Sequence, residues 1–327
     1  MGQIFGTLLS RSRASPSWRL PSGAWDTHVH VFDSSIGPFA AGRAYTPAQA
    51  LLSQLKSFIS TISQDGRPLR LVLVQPSPYH TDNKVLLHTL RQLRDEGSVA
   101  ARGIAVVDVP TIQDEELWEM HELGVRGLRL NMQANGRGVD IDKLRALILQ
   151  AADRIKGLPD WKLQLFCPAQ VWDDLYATIR TLPVQVIADH IGGLLGSSKL
   201  EGAKEDQNFG HQLNQPGFKS LISLAQESKV IVKVSGLYRA STRNEEGFDD
   251  LEPIIRALAT SIPDGLVWAS DWPHTGEGKD RKKRNLDHIE DFRPVDNEAI
   301  LKNIRAWMGD DQAWRKMMVD TPAMVYR

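Results

Sequence analysis

The stretch GAWDTHVHVFD, residues 23–33, decides how the rest of the sequence is read. It has the look of a short strand carrying two histidines two positions apart. Side chains alternate across a strand, so Asp26, His28 and His30 are expected on one face. Thr27, Val29 and Val31 fall on the other, suited to packing under a helix. Two imidazoles projecting together from a strand end can ligate a metal, polarise a carbonyl or shuttle protons. Alone, the pair leaves those chemistries open, together with a chance surface pair.

Downstream, near-continuous apolar runs alternate with helical patterns. RLVLVQPS (70–77), GIAVVDV (103–109), GVRGLRLNM (124–132), WKLQLFC (161–167), VQVIADHI (184–191), VIVKVSGLY (230–238) and LVWASD (266–271) suit strands covered on both faces. Helices are expected over 46–62, with Thr46 capping and Pro47 in the first turn, and over 82–96. Further ones are expected over 111–123 with Thr111 as cap, then 139–155, 168–182, 216–227, 249–261, 297–307 and 311–319. Strict alternation argues a parallel sheet with right-handed crossovers. About eight such units argue a (β/α)8 TIM barrel, an α/β fold, over an open doubly wound sheet. No Gly-x-Gly-x-x-Gly follows a strand, which weakens any dinucleotide-binding reading.

The 327 residues carry a net charge of −1 and are 42% hydrophobic, enough for a large core. Near-neutrality gives no reason to expect a nucleic acid or an acidic membrane as partner. No run approaches the ~20 apolar residues of a membrane span. The expected partner is a small-molecule substrate, and an oligomer is possible. The single cysteine, Cys167, permits no intrachain disulfide, which fits a cytoplasmic setting. It sits in an apolar run and reads as core rather than nucleophile. Residues 1–22, with Arg11, Arg13, Arg19 and no acid, read as an N-terminal arm before a barrel domain over 23–327. Their composition also keeps a transit peptide, hence a mitochondrial location, as an alternative. The charge run 279–284 is expected to be a solvated loop or a flap over an anionic substrate.

Chemistry in such a barrel sits at the C-terminal strand ends. The polar residues there are His28 and His30 on the first strand, and Gln75 and Ser77 on the second. Arg129 and Asn131 follow on the fourth, Gln164 on the fifth, His190 on the sixth, Ser235 and Arg239 on the seventh and Asp271 on the eighth. Placing so many polar groups at one rim is costly without partners, so their recurrence there is the main signal.

DTHVHVFD (26–33), QPSPYHTDN (75–83), GVRGLRLN (124–131), ADHIGG (188–193) and ASDWPH (269–274) resemble the amidohydrolase superfamily. More narrowly, they resemble its amidohydrolase-2 group, which contains 2-pyrone-4,6-dicarboxylate lactonase and related sugar-lactone hydrolases. The resemblance implies a hydrolase that opens a carboxylate-bearing lactone. It implies Asp271 as general base and His28, His30 and His190 polarising the carbonyl. Arg129 and Arg239 would grip a substrate carboxylate, with Ser77, Tyr45 and Gln164 as further contacts. Arg126, three residues before Arg129, is expected to point away. Metal-using members supply a further strand-five histidine, whereas this strand offers Gln164 and Phe166. The expectation is therefore no cofactor, with a single zinc on His28, His30 and Asp271 as the alternative. The lactonase has a tyrosine where Phe166 stands, which puts the same substrate in doubt. A decarboxylase or hydratase of an aromatic or unsaturated acid on the same barrel is the alternative activity.

Overall fold

Apolar runs flanked by turn residues form eight short parallel strands in a computed structural model. The structure describes residues 17–97, 99–132, 139–200, 211–276 and 285–327. The charge run 279–284 and most of the N-terminal arm lie outside them. The strands are β1 (Trp25–Val29), β2 (Arg70–Val74), β3 (Ala101–Ala105), β4 (Val125–Asn131), β5 (Lys162–Phe166), β6 (Val186–Ala188), β7 (Val230–Val234) and β8 (Leu266–Trp268). They pair in sequence order as one eight-stranded sheet. Register runs Trp25 opposite Arg70, Leu71 opposite Ala101, Arg129 opposite Gln164 and Lys233 opposite Val267. Helices between them cover the outside, giving the expected TIM barrel.

The ring closes where β8 meets β1. Asp271 donates its amide to the His28 carbonyl at 3.1 Å, and His30 donates to the Trp272 carbonyl at 3.0 Å. Side chains finish the seam: Thr27 Oγ1 donates to the Trp268 carbonyl at 2.8 Å, and Asp26 Oδ1 accepts from the Ser270 amide at 3.0 Å.

Two apolar regions follow from strand alternation. Val29, Val125, Leu163, Val230, Val232 and Val234 point outward into the helix–sheet core. Trp25, Val72, Ile104, Ile187, Ile231 and Val267 fill the barrel interior with Tyr326, whose ring stacks on Trp25 at 5.8 Å. A register shift between Asp26 and Val29 breaks the simple alternation. Trp25 and His28, three residues apart, therefore both face inward, and Asp26 turns to the seam instead of sharing a face with His28 and His30.

Element limits differ where local partners compete. Thr46–Pro47 does not open a helix; it pairs as a two-residue strand with Ile289–Glu290. A residue before proline is biased to extended backbone, and Thr46 Oγ1 is tied to the Leu286 carbonyl. The helix starts at Leu52, where Gln54 Oε1 accepts the Leu51 amide at 2.7 Å. Thr111 caps nothing; it bonds Asp108, and the helix begins at Asp114 with three acids in its first turn. β3 stops at Ala105 because Asn83 takes both backbone groups of Val106. The helix expected over 168–182 is two short ones, Val171–Asp174 and Tyr176–Thr181, meeting at Leu175, whose backbone leaves the helical region. The last described arm residues dock on the barrel: Leu20 is fully buried and exchanges backbone bonds with Ile62 and Gln64. No described helix is long and apolar enough to cross a membrane.

β4 and β5 approach so closely at Gly127 that a Cβ there would stand 2.3 Å from the Lys162 carbonyl oxygen. Gly127→Ala is expected to destabilise the fold by about 1–3 kcal/mol through backbone displacement. Gly157→Ala, at a site with open space, is expected to stay within about 0.5 kcal/mol of wild type. Denaturant midpoints of the two variants check both.

Candidate active site

The interior changes character along the barrel axis. Above the apolar floor of Trp25, Ile187 and Ile231 lies a buried charged layer: Lys233, Asp189, Gln164, Arg129 and His28. Asp189 directly follows β6 and Lys233 lies on β7, each two residues past an inward isoleucine. Lys233 Nζ is 3.1 Å from Asp189 Oδ1 and donates to Gln164 Oε1 at 3.0 Å. Asp189 Oδ2 accepts from Gln164 Nε2 at 3.0 Å and from Arg129 Nε at 3.4 Å. Charges this deep survive only when paired. Burial alone would raise the Asp189 carboxyl, but Lys233, His28 and Arg129 hold it well below the usual range.

The next layer is the ring of strand ends. His28 Nε2 lies 3.3 Å from His30 Nε2, and the two face Asp271 Oδ1 at 3.7 and 3.9 Å. His190, on the turn after β6, is held by Ser235 Oγ at 3.0 Å from Nδ1 and by an edge-to-face contact with Phe166, ring centroids 4.6 Å apart. Gly236 is required there: its φ is +58°, and a Cβ would meet His190 Nδ1 at 2.5 Å. Asp271 Oδ2 accepts from Tyr238 at 2.6 Å and from Arg239 Nε at 2.9 Å. Oδ1 is buried and, among the described residues, has no hydrogen-bond donor. His190 and Asp271 are not glycine, yet have φ of 52° and 61°. Left-handed backbone costs of order 1–3 kcal/mol per such residue and persists where the surroundings impose it, often at functional sites.

Electrostatics follow from burial. Burial, together with Arg129, pushes the His30 imidazole down to about 3. Burial also pushes His190 down to about 4. It carries His28 well below its usual value, so all three rings are neutral near pH 7. Burial would raise Asp271, but the Arg239 guanidinium beside it holds it ionised. The result is one carboxylate with a bare oxygen facing neutral imidazole nitrogens.

His28, His30, His190 and Asp271 thus converge as the sequence suggested. Arg239 joins them from the short helix Leu237–Ala240 rather than from β7 itself, with Nη2 donating to Thr275 Oγ1 at 3.0 Å. Buried Tyr45 lies close enough to act on the charge of Arg239. Gln164 and Arg129 stand one layer lower, engaged with Asp189. Ser77 is half-buried on the turn Ser77–Tyr79, and among the described residues no hydrogen bond ties it to Asp271 or the histidines. Gln75 turns away to hold the carbonyls of His80 and Asp82. Arg126 points away as expected, donating to the carbonyls of His121 and Arg327. Sequence reading passed over Asp189, Lys233 and Tyr238. A lysine inside the apolar run VIVKV was the available signal, since an unpaired charge there would be prohibitive.

Whether the residues fit a metal can be judged from their spacing. Ligand atoms about 2.0–2.1 Å from one ion stand about 3.3–3.4 Å apart in a tetrahedron, near the 3.3, 3.7 and 3.9 Å separating His28 Nε2, His30 Nε2 and Asp271 Oδ1. With Asp271 Oδ1 lacking a donor, the set fits a single ion. A second cluster, His28, Asp189 and His190, also lies within ligating range, but Lys233 already stands against Asp189 there.

The model of the amidohydrolase family matches residues 25–327. The 4-sulfomuconolactone hydrolase of Rhizobium radiobacter is 28% identical over 97% of this chain and 94% of its own. The 2-pyrone-4,6-dicarboxylate hydrolase of Comamonas testosteroni is 27% identical over 96% of this chain and 93% of its own. A crystal structure from Agrobacterium tumefaciens superposes with a TM-score of 0.71 at 19% identity, over 95% of this chain and 98% of that one, a likeness of fold.

Cys167 is buried, and burial pushes its thiol far up, which removes it as a nucleophile. A disulfide reagent such as dithionitrobenzoate is expected to leave the native protein unmodified and to titrate one thiol in guanidinium. Rapid native labelling would contradict the placement.

Proposed function

The chain belongs to the amidohydrolase family, and from that premise we propose that it hydrolyses a lactone bearing an anionic group. The observation that carries this reading is the division of labour at Asp271. Tyr238 and Arg239 occupy Oδ2, while Oδ1 is bare and borders the Nε2 atoms of His28 and His30. An ionised carboxylate with one free oxygen, screened from solvent, can take a proton from an attacking water. The lactone-hydrolysing relatives, matched over nearly their whole length, support a cyclic ester as substrate.

In this reading the lactone carbonyl lies over His28, His30 and His190. The ring N–H groups of His28 and His190, where turned to the site, stabilise the negative charge that develops on its oxygen, while His30, whose Nδ1–H is taken by the Val74 carbonyl, faces the site with a lone pair. Asp271 Oδ1 removes the water proton as the C–O bond forms. The same carboxyl then returns that proton to the ring oxygen as the ester bond breaks, leaving a hydroxy acid. Arg239, and Arg129 beneath it, supply positive charge for a substrate carboxylate or sulfonate, with Tyr45 and Ser77 as further contacts. Arg239 also sets the strength of the base, because the guanidinium that could attract the substrate anion is the one bonded to Asp271. Were a divalent ion bound, His28, His30 and Asp271 would hold it, and it would supply Lewis-acid polarisation and a more acidic water.

Asp271→Asn keeps the shape and the donors' neighbour but cannot accept the proton. It is expected to lower kcat for lactone opening by about 10²–10⁴-fold, with an unchanged circular dichroism spectrum. Turnover near wild type would overturn the role of Asp271. Release of carbon dioxide in place of a ring-opened acid would overturn the hydrolytic reading.

A further inference from the structure

The two first-strand histidines are not equivalent. His30 Nδ1 lies 2.8 Å from the Val74 carbonyl oxygen, which can only accept, so that nitrogen carries the ring proton. His30 Nε2 therefore presents a lone pair to His28 Nε2, 3.3 Å away. Two lone pairs cannot face each other at that distance, beside a carboxylate oxygen without a donor, unless a proton or a cation stands between them. His28 has a choice that His30 lacks. Its Nδ1 faces a near donor, Lys233 Nζ at 3.2 Å, a more distant one, Gln164 Nε2 at 3.5 Å, and an acceptor, Asp189 Oδ1 at 3.3 Å. Lys233 and Asp189 are fully buried and locked by Gln164, so neither can swing away.

We propose that Lys233 and Asp189 form a two-way support that lets His28 adopt either tautomer, according to whether a cation stands between His28, His30 and Asp271. Without a cation, His28 carries its proton on Nε2 and donates it toward His30 Nε2, while Nδ1 accepts from Lys233. With a divalent cation, the ring proton resides on Nδ1 and is accepted by Asp189, freeing the Nε2 lone pair. One proton changes nitrogen, and the ring neither gains nor loses charge. Lys233 thus favours the metal-free arrangement and Asp189 the metal-bound one. Both are positioning residues that act through His28. The inference rests on the histidine–aspartate centre and is independent of the substrate.

The experiment uses full-length protein labelled with ¹⁵N-histidine, stripped with a chelator and then titrated with zinc. Long-range ¹H–¹⁵N spectra report the tautomer of His28, assigned by the signal missing in His28→Gln. Protonated Nε2 before zinc and protonated Nδ1 after it are expected. Zinc affinity, measured by competition with a chelating dye, is expected to fall about 10–100-fold in Asp189→Asn and to rise about tenfold in Lys233→Met. Lys233→Gln, which retains a donor, is expected to stay closer to wild type. A chelated wild-type protein already protonated on Nδ1 overturns the proposal. So does zinc affinity that is equal in all variants, or zinc that binds neither wild type nor Lys233→Met. Should the Lys233 variants fail to fold, the wild-type tautomers still decide. None of these readouts involves turnover, so they stand apart from the lactonase reading.

Discussion

The backbone bond from the Asp271 amide to the His28 carbonyl, 3.1 Å long, is the constraint on which most else depends. It joins the last strand to the first, so it closes the barrel. It also brings a carboxylate from one end of the sequence to within 4 Å of imidazoles from the other. Closure and chemistry are one event here. A barrel that failed to close would expose the β1 and β8 edges and scatter the Asp–His set in the same step. The side-chain bonds of Thr27 and Asp26 across the same seam repeat this logic below the site.

The interior is layered by polarity, and the layers explain how charge is tolerated. Apolar side chains around Trp25 and Tyr326 seal the floor. The Lys233–Asp189 pair above them is satisfied by Gln164 and Arg129. Left alone, either charge would cost several kcal/mol; together they make a rigid polar platform under His28. The ring of strand ends on top then holds neutral imidazoles beside an ionised aspartate. Burial drives the imidazoles neutral, while Arg239 keeps the carboxyl charged. One low-dielectric environment thus sets two opposite protonation preferences, and the difference is a neighbouring guanidinium.

Phe166 shows how an apolar residue can serve a polar site. At the end of β5 its ring packs edge-to-face with His190. That contact fixes the His190 ring without using a donor, so Nδ1 remains for Ser235. The Arg239 guanidinium lies 5.9 Å from the centroid of the Phe166 ring. Phe166 therefore shapes the cationic wall of the site, although it offers no ligand.

The sequence by itself determined the alternation of strands and helices, the inward direction of His28 and His30, and the rim position of His190, Arg239 and Asp271. These are local properties: hydrophobic period and the polar residue that ends each run fix them before any contact forms. It did not determine the limits of β3 or the ribbon at Thr46, because those depend on Asn83 and on Leu286, residues remote from them in the chain. Nor did it show the face of Asp26, which a one-residue shift in pairing with β2 decides. Asp189 and Lys233 were visible as letters but not as a pair. Their partnership across 44 residues exists only because β6 and β7 lie side by side and alternate in phase. Tertiary structure alone decided which nitrogen of each histidine meets a donor or an acceptor, since that is fixed by angles between strands.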